Sequence, residues 1–244
     1  MAPKIVIWDL ETSNLNANFG YVLCAGWKYL GDRKTHVIKI DDYKLHKTDP
    51  TNDSEVVKRM GEVLTDCDGI VTWFGGFFDE PYLNSRLLNH GLPLVPPFTA
   101  GTHIDGWRIA KKKLKLNSNR LASVSSFLSV EEKTPLNGPI WIKAMAGNKA
   151  ALRYVYRHCE QDVIVLEQVY NKIRPLCSWH FNVNLDATDA IKAAGPLCPK
   201  CGSNRVERRG FRWSYTTKSQ KFHCKGCGGW SLGKPERVKG LVTR

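Results

Sequence analysis

The period of the apolar positions changes along the chain, and each change marks an element. Residues 4–12, Lys4-Ile-Val-Ile-Trp-Asp-Leu-Glu-Thr12, form a β-branched and aromatic run with no breaker, which predicts a β-strand. Two more strands are predicted over 21–30 and 34–40, joined as a hairpin by Gly31-Asp-Arg33. From Ser54 to Leu64 the period becomes helical, with Val56, Val57, Met60, Val63 and Leu64 on one face and Ser54 as N-cap. Residues 69–74 read as a buried strand, which Gly75-Gly76 leads into a helix over 78–88 with Pro81 in its first turn. A short strand end at 103–107 precedes Lys111, Lys112, Lys113 and Lys115, a solvated loop or helix face. Helices follow over 120–128 and, longest of all, 148–174, where Leu152, Val155, Val163, Leu166, Val169 and Ile173 supply the buried side. The pattern weakens over 178–196, and Gly195-Pro196 marks a boundary. Three leading strands and then alternating helices and strands predict an α/β fold with a mixed sheet.

Composition adds a second, smaller body. The 244 residues suffice for one sizeable core and an appendage. No stretch approaches the roughly 20 apolar residues needed to cross a bilayer. Met-Ala-Pro-Lys runs straight into the first strand, so no secretory signal is read and a cytoplasmic setting, with no membrane partner, is expected. Thiols stay reduced there, so the eight cysteines point to metal rather than to disulfides. Of the formal charge of +13, the stretch from Cys198 to Arg244 carries +10, with 12 Lys or Arg against Glu207 and Glu236. The first 197 residues are close to neutral, with 24 basic and 21 acidic side chains. A basic appendage on a neutral body suggests a polyanion, above all nucleic acid.

The candidate chemistry begins in the first strand. Alternate side chains of a strand share a face, so Asp9 and Glu11 point the same way. Their repulsion is worth on the order of 1 kcal/mol even in water, and a hard divalent cation relieves it. A solvated strand edge is the alternative. Asp79 opens a helix just after a buried strand, where an acid also serves the helix dipole. His158 and Asp162 lie four apart in the long helix, hence on one face, and a structural His–Asp pair is the alternative there.

In this order and at this separation, WDLET, WFGGFFDEPYL and HCEQDV resemble the three motifs of the DEDD (DnaQ-like) exonucleases, over about residues 4–175. The resemblance implies a ribonuclease-H-like fold and four acids holding two Mg²⁺ or Mn²⁺: Asp9 and Glu11 from the first motif, Asp79 from the second, Asp162 from the third. It further implies hydrolysis of nucleic acid from a 3′ end by a two-metal-ion mechanism. Asp105, in His103-Ile-Asp105, is given no metal. In the family a tyrosine stands three residues clear of the last Asp, or a histidine four. Here His158 occupies the tyrosine spacing. An imidazole, with its ordinary pKa near 6.5, can take a proton from water, so His158 is the expected general base, and Tyr154, one turn back, a substitute.

Cys198-Pro-Lys-Cys201 and Cys224-Lys-Gly-Cys227 are two knuckles separated by 22 residues, each followed by glycine. Four thiolates so spaced predict one structural Zn²⁺, with His223 outside the site. The stretch resembles the zinc ribbons of nucleic-acid-handling proteins. Between the knuckles, Arg205, Arg208, Arg209, Arg212, Lys218 and Lys221 alternate with aromatics including Trp213, which suits single-stranded nucleic acid. A ribbon that docks a protein is the competitor. Cys24, Cys67, Cys159 and Cys177 read as small apolar side chains.

The sequence therefore predicts a catalytic domain over 1–177, a linker over 178–196, a zinc ribbon over 197–232 and a basic tail over 233–244. The expected function is a metal-dependent 3′–5′ exonuclease, on DNA before RNA, with a replication or repair protein as a partner in trans. An exoribonuclease or structure-selective nuclease on the same site, or a non-catalytic binding or docking module, are the alternatives.

Overall fold

The fold is described here from a computed structural model of the chain, over residues 3–99, 101–130, 138–178, 180–184 and 195–237. Most of the expected linker over 178–196 and of the basic tail over 233–244 falls outside these residues. Two compact units divide the chain, Lys4–Lys172 and the residues from Ile173 onward.

The first unit opens with β1 (Ile5–Thr12), β2 (Val22–Tyr29) and β3 (His36–Lys39). Next come a single helical turn α1 (Leu45–Thr48), α2 (Ser54–Thr65), β4 (Gly69–Thr72), α3 (Asp79–Asn89) and β5 (His103–Asp105). Helices α4 (Gly106–Lys113), α5 (Leu121–Phe127), α6 (Gly138–Met145) and α7 (Lys149–Ile173) complete it. The strands form one mixed sheet in the order β3-β2-β1-β4-β5. β1 pairs antiparallel with β2 and parallel with β4, and β4 pairs parallel with β5. The carboxyl ends of β1, β4 and β5 therefore lie along one edge of the sheet. Trp8, Leu10 and Leu23 of the sheet, Met60 and Leu64 of α2, Leu83 of α3 and Leu152 of α7 are buried in one core.

Two local expectations are corrected. Ser54 does not cap α2: it is the first helical residue, and Asp53 holds the N-cap position. The Asp53 carboxylate is turned inward instead. It accepts from the Val22 N–H (2.8 Å), from Arg86 Nε and Nη2 (2.9 and 2.8 Å), and lies 2.7 Å from His90 Nε2. A fully buried carboxylate is tolerated because each of these groups pairs with it. β4 stops at Thr72 rather than at 74, because Phe74 takes a left-handed backbone (φ 69°) that leaves the sheet. Of the two readings of the lysine run, the helical one holds for Lys111–Lys113, the exposed last turn of α4, where cations suit the helix dipole. Helix α6 had no counterpart in the expected elements.

The seat of α7 on the sheet positions the site. Gly26 of β2 lies opposite Asp9 of β1. A Cβ at Gly26 would stand 2.9 Å from Cys159 Sγ and 3.1 Å from the Cys159 carbonyl oxygen, so only glycine lets the helix approach this closely. Lys28 of β2 pairs with Glu167 of α7 at 2.5 Å, and the Tyr156 hydroxyl donates to Asp41 at 2.5 Å. The first contact ties α7 to the sheet and the second to the turn that follows β3.

The second unit is a small antiparallel sheet of β6 (Val206–Trp213), β7 (Thr217–Cys224), β8 (Trp230–Leu232) and β9 (Glu236–Arg237). β7 is the central strand, paired with the other three. No described helix is long and apolar enough to cross a membrane.

Candidate active site

Asp9 and Glu11 stand at alternate positions near the carboxyl end of β1, more open than Leu10 between them, as strand geometry requires. Asp79 comes from the first residue of α3 and is only 4% exposed. Its Oδ1 accepts from the Leu10 N–H at 3.1 Å, which fixes this carboxylate against the peptide between Asp9 and Glu11. His158 and Asp162 arrive from α7. His158 Nε2 is 3.7 Å from Glu11 Oε1 and 3.8 Å from Asp162 Oδ2. The side-chain ligand atoms of Glu11, His158 and Asp162 all lie within 4.8 Å of one another, as do those of Asp9, Glu11 and Cys159. Residues distant in the chain are thus gathered at one place, with Glu11 common to both groups.

Electrostatics sets the chemistry of this cluster. Burial, with repulsion from Asp105 and Asp162, pushes the Asp79 carboxyl up to about 7, although the Leu10 N–H favours its charged form. Carboxylates so close need a cation to be ionised together, and an oxygen-rich set of this kind suits Mg²⁺ or Mn²⁺. The donor set fits such ions. Tyr154 lines a cleft with Arg157, Glu160, Gln161 and Ile164, and one turn on the His158 ring lies beside Glu11 and Asp162. Trp141, on α6, packs against that ring in a T-shaped arrangement with centroids 5.3 Å apart. Nothing in the sequence announced Trp141, since α6 had no expected element to carry it.

Asp105 has a different task. Its Oδ1 accepts from the N–H groups of Trp107 (3.0 Å) and Phe74 (2.9 Å), joining the end of β5 to the loop after β4. His103 Nε2 lies 2.8 Å from the Thr72 hydroxyl, and burial lowers this imidazole to about 4, so it is neutral at pH 7.

In the second unit, Cys198, Cys201, Cys224 and Cys227 converge. Cys198 and Cys227 Sγ are 3.7 Å apart, as are Cys201 and Cys224 Sγ. A tetrahedron with Zn–S bonds of about 2.3 Å has sulfur edges of about 3.8 Å, so four thiolates here fit Zn²⁺. The His223 ring packs on Trp230 instead, at 4.8 Å. Lys200, between the first two cysteines, is buried and donates to the carbonyls of Cys177 (2.8 Å) and Pro175 (3.1 Å). It therefore locks the knuckle to the segment after α7 instead of facing solvent.

The six cations named from the sequence are not alike. Arg205, Arg208 and Arg212 are exposed. Arg209 is exposed too, but its Nη2 pairs with Glu207 at 2.6 Å. Lys218 lies over the Phe211 ring and 3.9 Å from Glu236, and Lys221 is half-buried. Trp213 is 64% and Tyr215 97% exposed, so neither packs the strands together.

Residues 6–174 match the RNase H superfamily. No curated protein matches the sequence. Among solved structures, the chain is similar to the family B DNA polymerase from the hyperthermophilic archaeon Pyrobaculum calidifontis, with 15% identity and a TM-score of 0.56. That alignment covers 89% of this chain and 32% of the polymerase, so the chain spans about a third of that protein's length. At this identity the likeness is one of fold.

Proposed function

The chain belongs to the RNase H superfamily, and from that premise we propose that it is a metal-dependent 3′–5′ exonuclease of the DEDD (DnaQ-like) type. The observation that carries the proposal is the gathering of Asp9, Glu11, His158 and Asp162 from β1 and α7, with Asp79 of α3 bonded to the Leu10 N–H between the first two. Asp9, Glu11, Asp79 and Asp162 would hold two Mg²⁺ or Mn²⁺. Bound there, the ions would lower the pKa of the attacking water and neutralise charge on the leaving oxygen. His158 is the chain's own acid–base group: Nε2 faces Glu11 and Asp162 and takes the proton that water gives up. Trp141 limits the rotation of its ring. Asp79 works from the Leu10 amide, so its carboxylate and those on either side of Leu10 are held as one rigid set.

The second unit is, in this proposal, a zinc ribbon: Cys198, Cys201, Cys224 and Cys227 bind one Zn²⁺, and Arg205, Arg208 and Arg212, with Trp213, bind substrate. Exposed arginines beside an exposed indole support this, since phosphates meet charge while bases stack. The test uses 5′-labelled DNA and RNA single strands with Mg²⁺ or Mn²⁺, and Asp9→Ala as control. Stepwise shortening from the 3′ end by wild type alone is expected. Internal cuts would overturn the direction, and no metal-dependent cleavage of either strand would overturn the enzyme.

A further inference from the structure

Next to the acids the fold leaves a group of large aromatic side chains in solvent. Phe74 is 38% and Phe77 53% exposed, although phenylalanine is ordinarily an interior residue. Their rings are stacked, 5.0 Å between centroids at 25°, and the half-buried Trp107 meets both edge-on at 4.9 and 5.8 Å. Cations lie over this group. The Arg108 guanidinium is 4.7 Å from the Phe77 centroid, and Lys111 Nζ is 4.6 Å from that of Trp107.

The group is built, not incidental. Phe74 holds a left-handed backbone that costs a non-glycine residue roughly 1–2 kcal/mol. The buried Asp105 keeps it there by accepting from the Phe74 N–H, and the same oxygen accepts from Trp107 N–H, so one carboxylate sets two of the three rings. Its place follows from the topology. Phe74 is two residues beyond β4, Trp107 two beyond β5, and both strands run parallel to β1, near whose carboxyl end stand Asp9 and Glu11. Phe77 is two residues before Asp79.

We propose that Phe74, Phe77 and Trp107, with Arg108 and Lys111 over them, are a stacking platform for unpaired bases of single-stranded nucleic acid on its way to the acids. Ring faces take any base, and the two cations answer the phosphates between bases. A protein partner would also accept aromatics, but cations held over the rings favour a polyanion. The inference rests on the nuclease reading for the identity of its ligand.

The test is binding without Mg²⁺, so that nothing is cut, with zinc retained. Affinities for labelled dT12 and for an abasic strand of equal length are compared in wild type, Phe77→Ala, Phe77→Leu and Trp107→Ala. Each variant is expected to bind dT12 about tenfold more weakly, with binding of the abasic strand unchanged. Phe77→Leu keeps an apolar side chain and removes the ring face, so its loss cannot be assigned to unfolding. Wild-type affinity for dT12 in all three variants would overturn the platform, as would equal losses on both strands. Absence of metal-dependent cleavage by wild type would overturn the nuclease reading and leave these binding results standing.

Discussion

Gly26 is the position where a single methyl group reports on the whole site. An alanine Cβ there would lie 3.1 Å from the Cys159 carbonyl oxygen and 3.1 Å from Val163 Cγ2. The sulfur of Cys159, at 2.9 Å, can rotate away, but the carbonyl belongs to the backbone of α7 and yields only if the helix lifts by a few tenths of an ångström. Such overpacking costs about 1–3 kcal/mol. For a unit of this size, 1 kcal/mol corresponds to roughly 2–4 °C, so Gly26→Ala should lower the melting temperature by about 2–12 °C. His158 and Asp162 flank Cys159 on the same helix and move with it. Since a displacement of about 1 Å can cost a hundredfold in rate, a few tenths should cost about two- to tenfold in kcat, and Gly26→Val more. Thermal unfolding and initial rates at saturating Mg²⁺ read both effects. Gly26→Ala with the wild-type melting temperature and rate would refute the claim that this contact sets the site.

Three further outcomes follow from the same geometry. The Asp79 carboxyl, held near 7 by burial, stays protonated in the fold while the unfolded chain ionises from 3.8 upward. Without divalent ions, stability should therefore fall as pH rises from about 4 to 7, and Asp79→Asn should remove that fall, by at most about 4 kcal/mol. Urea unfolding at pH 4.5 and 8 in Mg²⁺-free buffer checks it, and an Asn variant no more stable than wild type at pH 8 counts against it. Elemental analysis should find one zinc per chain, and none in the Cys201→Ser/Cys224→Ser double variant. Neutralising Arg208 and Arg212 together should lower the slope of log affinity against log salt by about 1.4 for single strands. Fluorescence anisotropy across a salt series measures it, and an unchanged slope would assign those arginines to something other than phosphates.

What the sequence disclosed here was local or periodic. The alternation that aims Asp9 and Glu11 together is inherent in a strand, and the four-residue spacing of His158 and Asp162 is inherent in a helix. The paired cysteine knuckles were as plain, since their spacing is itself the signal. Contacts between distant elements carry no such mark. Asp53 looked like the residue before a cap, yet its partners Arg86 and His90 lie more than 30 positions on, and burial decided its role. Trp141 could not be connected to His158 before α6 was seen. Nothing local distinguishes Gly26 from a weak point in a strand, because the reason for glycine is a helix more than 130 residues further on. Phe74 read as the end of a buried strand, because the apolar run continues past the point at which Asp105 bends the backbone away.

The central claim is that Asp9, Glu11, Asp79 and Asp162 share divalent ions, and crystals grown with Mn²⁺ test it most directly. Anomalous difference density at the manganese edge should show ions ligated by these four carboxylates, and should vanish from that place in Asp162→Asn crystals. Density elsewhere on the protein, with the four carboxylates bare at saturating Mn²⁺, would contradict it.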